Sequence, residues 1–137
     1  MHLPTFCLVI LCSLTSGIHI RFQAEIDCDI PGAYWCGELN VLEKDVIVHD
    51  LLKQDKFCTS ERTKTVKYTI DAEDDFPTDN FEIFYKFNHN CSANGKTYCV
   101  KPRDHKEVDL FRPKTVYFNI EARPNAQPYR CKAPWIF

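Results

Sequence analysis

Eight of the 137 residues are cysteine, and what chemistry they allow depends on which of them share a compartment. Cys7 and Cys12 stand in an apolar opening stretch, Phe6 to Leu14, that ends in the small-residue run Ser13-Leu14-Thr15-Ser16-Gly17. A short apolar run closed by small residues is the pattern of a secretory signal peptide. It is well short of the roughly 20 residues that a bilayer span requires. Residues 1–17 are therefore expected to be cleaved, with Ala24 as the second choice of site. Six cysteines follow: Cys28, Cys36, Cys58, Cys91, Cys99 and Cys131. An even number in an oxidising compartment predicts three disulfides and no free thiol. Six cysteines allow fifteen pairings. Cys91 and Cys99 flank Asn94-Gly95, a hairpin signal, so opposed strands are expected to bring them within bonding range. Cys36 with Cys131 and Cys28 with Cys58 complete the expected set.

Disulfides remove the first catalytic option. His89 beside Cys91 has the composition of a thiol nucleophile and its base, but the nucleophile must be a free thiolate. The five histidines, His2, His19, His49, His89 and His105, form no i, i+2 or i, i+4 pair, so the spacing predicts no zinc site and assigns His89 to a strand end. Asp71, Glu73, Asp74, Asp75 and Asp79 cluster, yet the glycine and distal glutamate of a calcium loop are missing, which predicts a solvated turn. No metal or cofactor is expected.

Two binding or modification signals remain. Lys101, Arg103 and Lys106 make a basic turn and are the candidate contacts for an anionic surface such as a lipid headgroup layer. Lys64, Lys67 and Lys96 join them if loops gather at one end, and otherwise all six are ordinary surface charge. Asn90-Cys91-Ser92 is the one N-glycosylation sequon, with Asn90 as acceptor. A net charge of −2 and a pI near 6.2 leave no field that would draw the chain nonspecifically to nucleic acid.

Strands must position these groups. Residues 41–48, 65–70, 81–87 and 115–120 are short, rich in β-branched or aromatic side chains, and mostly alternate apolar with polar. Turn formers separate them at 71–77, Asn94-Gly95, Arg112-Pro113 and Arg123-Pro124-Asn125. Residues 49–56 read as a helix of about two turns. Tyr34, Trp35, Phe81, Phe84, Tyr117 and Phe118 are the expected aromatic core. Trp135-Ile136-Phe137 either packs back onto the fold or forms a docking segment. Residues 18–137 are long enough for one domain with its own core. Short strands with turns between them predict an all-β sandwich or open barrel.

The order Phe81-Glu82-Ile83-Phe84-Tyr85-Lys86-Phe87-Asn88-His89-Asn90-Cys91, then Asn94-Gly95-Lys96, Cys99, residues 114–121 and Tyr129-Arg130-Cys131 resembles the nematode transthyretin-like family. Trp35-Cys36, residues 42–45 and Asp50-Leu51-Leu52 extend the likeness to roughly Ala33 to Cys131. The resemblance implies a disulfide-stapled β-sandwich of about seven strands and a secreted, non-catalytic carrier or adaptor. One such type bridges exposed phosphatidylserine on dying cells to a phagocyte receptor. It also implies recognition through end loops, here residues 88–99 and 101–106. The hydrolytic branch of that fold uses a strand histidine and a terminal Tyr-Arg-Gly-Ser, where this chain has Tyr129-Arg130-Cys131-Lys132 and no histidine near Cys36, so no enzyme is expected. An extracellular protein, lipid or small molecule is the expected partner. The alternatives are a lipid-binding sandwich with an internal cavity and a loop-acting inhibitor.

Overall fold

From His19 to Cys28 the chain alternates without a break: Ile20, Phe22, Ala24, Ile26 and Cys28 are buried, while His19, Arg21 and Glu25 are exposed. That period of two is what a strand with one face on a core requires. In the computed structural model, which describes residues 18–72, 80–109, 112, 114–125 and 127–132, this segment is β1 (Ile18–Asp27). The expected signal peptide 1–17, acidic residues 73–79 and Trp135-Ile136-Phe137 lie outside the described residues.

β1 is the middle strand of a three-stranded sheet. β4 (Thr63–Ala72) runs antiparallel along one side, from Ile18 opposite Ala72 to Asp27 opposite Thr63. β8 (Lys114–Glu121) runs parallel along the other. A second, antiparallel sheet has β3 (Asp50–Thr59), β2 (Trp35–Glu43), β5 (Asn80–His89) and β6 (Tyr98–Val100) in that order. β7 (Lys106–Asp109) pairs with the first half of β5. The fold is thus all-β in two sheets, with eight strands among the described residues where about seven were expected. No helix among the described residues is long and apolar enough to cross a membrane.

The inward faces of the two sheets share one core. Ile20, Phe22 and Ile26 of β1, Val66 and Ile70 of β4, and Val116, Phe118 and Ile120 of β8 meet Leu39 and Val41 of β2 and Ile83, Tyr85 and Phe87 of β5. The Tyr85 and Phe118 rings touch edge to face across the interface, 5.1 Å between centroids. Each such side chain contributes about 1.5–3 kcal/mol by leaving water. Of the expected aromatic core, Trp35, Phe81 and Phe118 are buried, whereas Tyr34 and Tyr117 are exposed and Phe84 is half-buried on the outer face.

Two element expectations are corrected. The helix at 49–56 is instead edge strand β3. The β2–β3 register slips between Val41 and Leu42, which face Lys53 and Leu51, so Leu52 is an extra, unpaired residue that leans onto the core. A bulge of this kind breaks the alternation and sets two leucines side by side, which reads as helical spacing. The strand at 41–48 begins earlier and ends earlier: Lys44 N–H makes a last bond to the Glu82 carbonyl, and Val46, Ile47 and Val48 stand in an exposed loop.

All three expected disulfide pairs are also corrected. The bonds are Cys28–Cys91, Cys36–Cys58 and Cys99–Cys131. The Asn94-Gly95 turn is present, with Gly95 at φ +67°, a left-handed value that suits glycine. Cys91 lies past the end of β5 and turns inward to Cys28, joining the two sheets. Cys99, opposite Asn88, lies on the outer face, where Cys131 brings the tail. A hairpin brackets two cysteines without deciding which face each one takes.

Gly37 of β2 is a close approach. A Cβ there would lie 2.6 Å from the Phe87 ring and 2.9 Å from the Phe57 ring, which stack on each other. Gly37→Ala is expected to lower stability by about 1–3 kcal/mol in urea denaturation, the usual cost of overpacking. An unchanged midpoint would show that the rings yield freely.

Candidate functional site

Because Ile83, Tyr85 and Phe87 point inward, Glu82, Phe84 and Lys86 of β5 point to the outer face of the five-stranded sheet. There a cavity of about 280 Å³ is lined by Lys44, His49, Phe84, Lys86, Lys101, Pro102, Arg103, Asp104 and His105. Three segments build it. The end of β2 and its loop to β3 supply Lys44 and His49, β5 supplies Phe84 and Lys86, and the β6–β7 connection supplies residues 101–105.

The cavity is firmly framed. His49 is buried, accepts the Asp45 N–H at its Nδ1 (3.1 Å) and meets Phe84 edge to face at 4.6 Å. His105 Nε2 lies 3.0 Å from Glu82 and 3.8 Å from Glu107, and Lys44 Nζ lies 3.8 Å from Glu82. At the floor, Lys86 is only 4% exposed. Burial lowers its pKa, and the Lys101 charge lowers it further. Burial lowers that of His49 as well, followed by Lys86 and Lys44; Asp45 opposes them and Lys101 adds to the lowering. Both groups therefore sense a positive field, which an entering anion would relieve.

The basic turn expected from sequence is divided. Lys101 and Arg103 line the cavity. Lys106 sits opposite Ile83, so its side chain takes the other face, with Nζ 6.0 Å from the Phe118 ring centre. Lys64 likewise lies elsewhere, over Phe57. Lys44, His49 and Lys86 were missed. The signal for Lys86 was present as the one cation at an outward position in the 81–87 run.

Glu82, His105 and Glu107 bring one donor atom each within 4.8 Å of one another, a span that suits a metal ion. Spacing along the chain could not show this, because β7 pairing with β5 makes the trio. As it stands, His105 lies between the two carboxylates and Lys44 pairs with Glu82.

A second, larger cleft of about 460 Å³ opens at the other end of the same face, beside the Cys36–Cys58 bond and the tail. Its cations are matched: Arg130 and Lys56 both pair with Glu38. Burial alone would raise the Glu38 pKa, but a hydrogen bond from Asn40 and the two cations outweigh it and hold it low. Asn90, the sequon residue, borders this cleft half-buried, its Oδ1 accepting the Cys36 N–H at 2.7 Å.

Over residues 23–134 the sequence matches the family described as Caenorhabditis elegans protein of unknown function (DUF870). It is 33% identical over 100 residues to Uncharacterized protein B0416.7 of Caenorhabditis elegans, covering 71% of this chain and 75% of that relative. No solved structure matches it. The transthyretin-like resemblance is thereby corrected, since the family that matches is a different one and no transthyretin-like match is found. A strand, a cysteine, an Asn-Gly turn and a second cysteine form a pattern any disulfide-bearing β-protein can share.

Proposed function

We propose a secreted, non-catalytic binding role, as carrier or adaptor, for this chain, which belongs to the family of Caenorhabditis elegans proteins of unknown function (DUF870). The bound group is an anion seated in the outer-face cavity. The observation that carries the reading is the convergence of Lys44, Lys86, Lys101 and Arg103 from three segments on one cavity, with Asp104 the one acid among the described residues that line it. In a chain of net charge −2, that concentration of positive charge is local.

Three disulfides are compatible with an extracellular protein. Cleavage after Gly17 leaves β1 whole, whereas cleavage after Ala24 would sever the middle strand of a sheet, so the first site is the one retained. All six cysteines from Cys28 onward are bonded, which leaves none of them as a thiol nucleophile. An adaptor is favoured over a carrier with an interior ligand, because the rings of Phe22, Tyr85 and Phe118 occupy the space between the sheets.

Titration calorimetry with inorganic phosphate at low ionic strength tests the reading. Wild type is expected to bind, and Lys101→Gln with Arg103→Gln to bind at least about tenfold more weakly, since a charge-assisted hydrogen bond is worth about 1.5–3 kcal/mol. Added salt should weaken wild-type binding as the Debye length shrinks from about 10 Å at 0.1 M. Absence of binding by wild type, or equal binding by the double variant, would sink the proposal.

A further inference from the structure

We infer that the anion is presented by a membrane surface, and that the loop carrying part of the cavity inserts its apolar tip among the lipids. This rests on the anion-binding reading of the cavity. Val46 is 87% exposed, Ile47 76% and Val48 44%, three consecutive large apolar residues at the tip of the β2–β3 loop. Isolated exposed apolar residues are ordinary, but a contiguous protruding set marks an interaction surface.

The loop is braced. Asp45 Oδ1 accepts the Val46 N–H at 3.0 Å, and the Asp45 N–H is held by buried His49. All three tip residues are β-branched, so their side chains lose little freedom when packed.

Charge complementarity decides the occupant. Lys44, two residues before the tip, and His49, the residue after it, both line the cationic cavity, and Asp45 between Lys44 and the tip is held by the Val46 N–H, so the apolar tip and the cations belong to one structural unit. An anionic bilayer offers the matching arrangement, with phosphate groups at the surface and hydrocarbon about 5–10 Å below. A soluble anion would use the cavity and leave the tip in water.

The test uses the full chain and two kinds of vesicle, phosphatidylcholine alone and phosphatidylcholine mixed with phosphatidylserine, read by co-flotation. Wild type is expected to float with the mixed vesicles alone. Val46→Ser with Ile47→Ser and Val48→Ser is expected to reduce this at least about tenfold through lost apolar burial, while its calorimetric binding of inorganic phosphate is unchanged. Retained phosphate binding also shows that this variant folds. Ile47→Trp is expected to shift its fluorescence to the blue with mixed vesicles and to be quenched by brominated acyl chains. If wild type binds phosphate but no vesicle, or the triple variant floats like wild type, the membrane inference is overturned while the cavity reading stands. If wild type binds neither phosphate nor vesicles, both fall.

Discussion

Removing the Cys28–Cys91 bond with Cys28→Ala and Cys91→Ala is expected to lower unfolding free energy by about 4 kcal/mol, the loop-closure term for its span of 63 residues. The bond joins the chain just past β1 to the chain just past β5, so it fastens the two sheets to each other. Both cysteines are 1% exposed, and the neighbouring main chain is already committed, Cys28 N–H to the Arg62 carbonyl at 2.9 Å. Alanine there leaves unfilled space in the core as well as a longer free loop. Cys36–Cys58 offers the internal comparison. It spans 22 residues, for which the same relation gives about 3 kcal/mol, and it ties β2 to β3, directly opposed strands that the ladder already holds. Urea denaturation of the two double variants should place the Cys28/Cys91 midpoint lower. The reverse order would mean that the sheets are held together mainly by their shared side chains.

Legibility in the sequence followed where the decisive information is local. β4, β5 and β8 could be read because each alternates over its own length with β-branched and aromatic residues. β1 alternates as cleanly, but its start abuts the apolar opening segment and one expected cleavage site lies inside it, so processing signals masked a strand. β3 was hidden by the bulge at Leu52, a feature that only the partner strand defines. The six cysteines announced three bonds, yet their pairing depends on which face each occupies and which sheet it joins, and neither is written within a hairpin's length of sequence. The cavity divides in the same way. Lys101 and Arg103 stand two residues apart in a basic turn and could be singled out. Lys44 and Lys86 are 42 positions apart in the chain and meet only because β2 pairs with β5 and both turn those positions outward. The exclusion of a metal site on spacing alone had the same weakness, since Glu82 and Glu107 become neighbours through the β5–β7 ladder.

Acidification from pH 6.5 to 4 is expected to destabilise the protein chiefly through His89. The ring is 1% exposed and stacks between Phe87 and Tyr98, 5.5 and 6.2 Å between centroids. Neither ring nitrogen makes a hydrogen bond of ordinary geometry among the described residues, the Arg123 main chain being the polar group in reach. Burial pushes its pKa from 6.5 down to about 4, with the Arg123 main chain opposing the shift in part. The unfolded chain therefore takes up this proton near pH 6.5 and the folded chain only near pH 4. In that window the unfolded state binds more protons, so stability is complete above the window and falls as pH drops through it, by up to about 3 kcal/mol. His49, also lowered by burial, acts in the same direction, whereas Glu38 exerts its effect only below its ordinary 4.5. His89→Phe keeps an aromatic ring in the stack and removes the titration. Urea denaturation at pH 7 and pH 4.5 should show a large stability gap for wild type and a much smaller one for the variant. Equal gaps would mean that His89 reaches a proton acceptor or solvent in the folded state, and the acid sensitivity would then have to come from His49 beneath the cationic cavity.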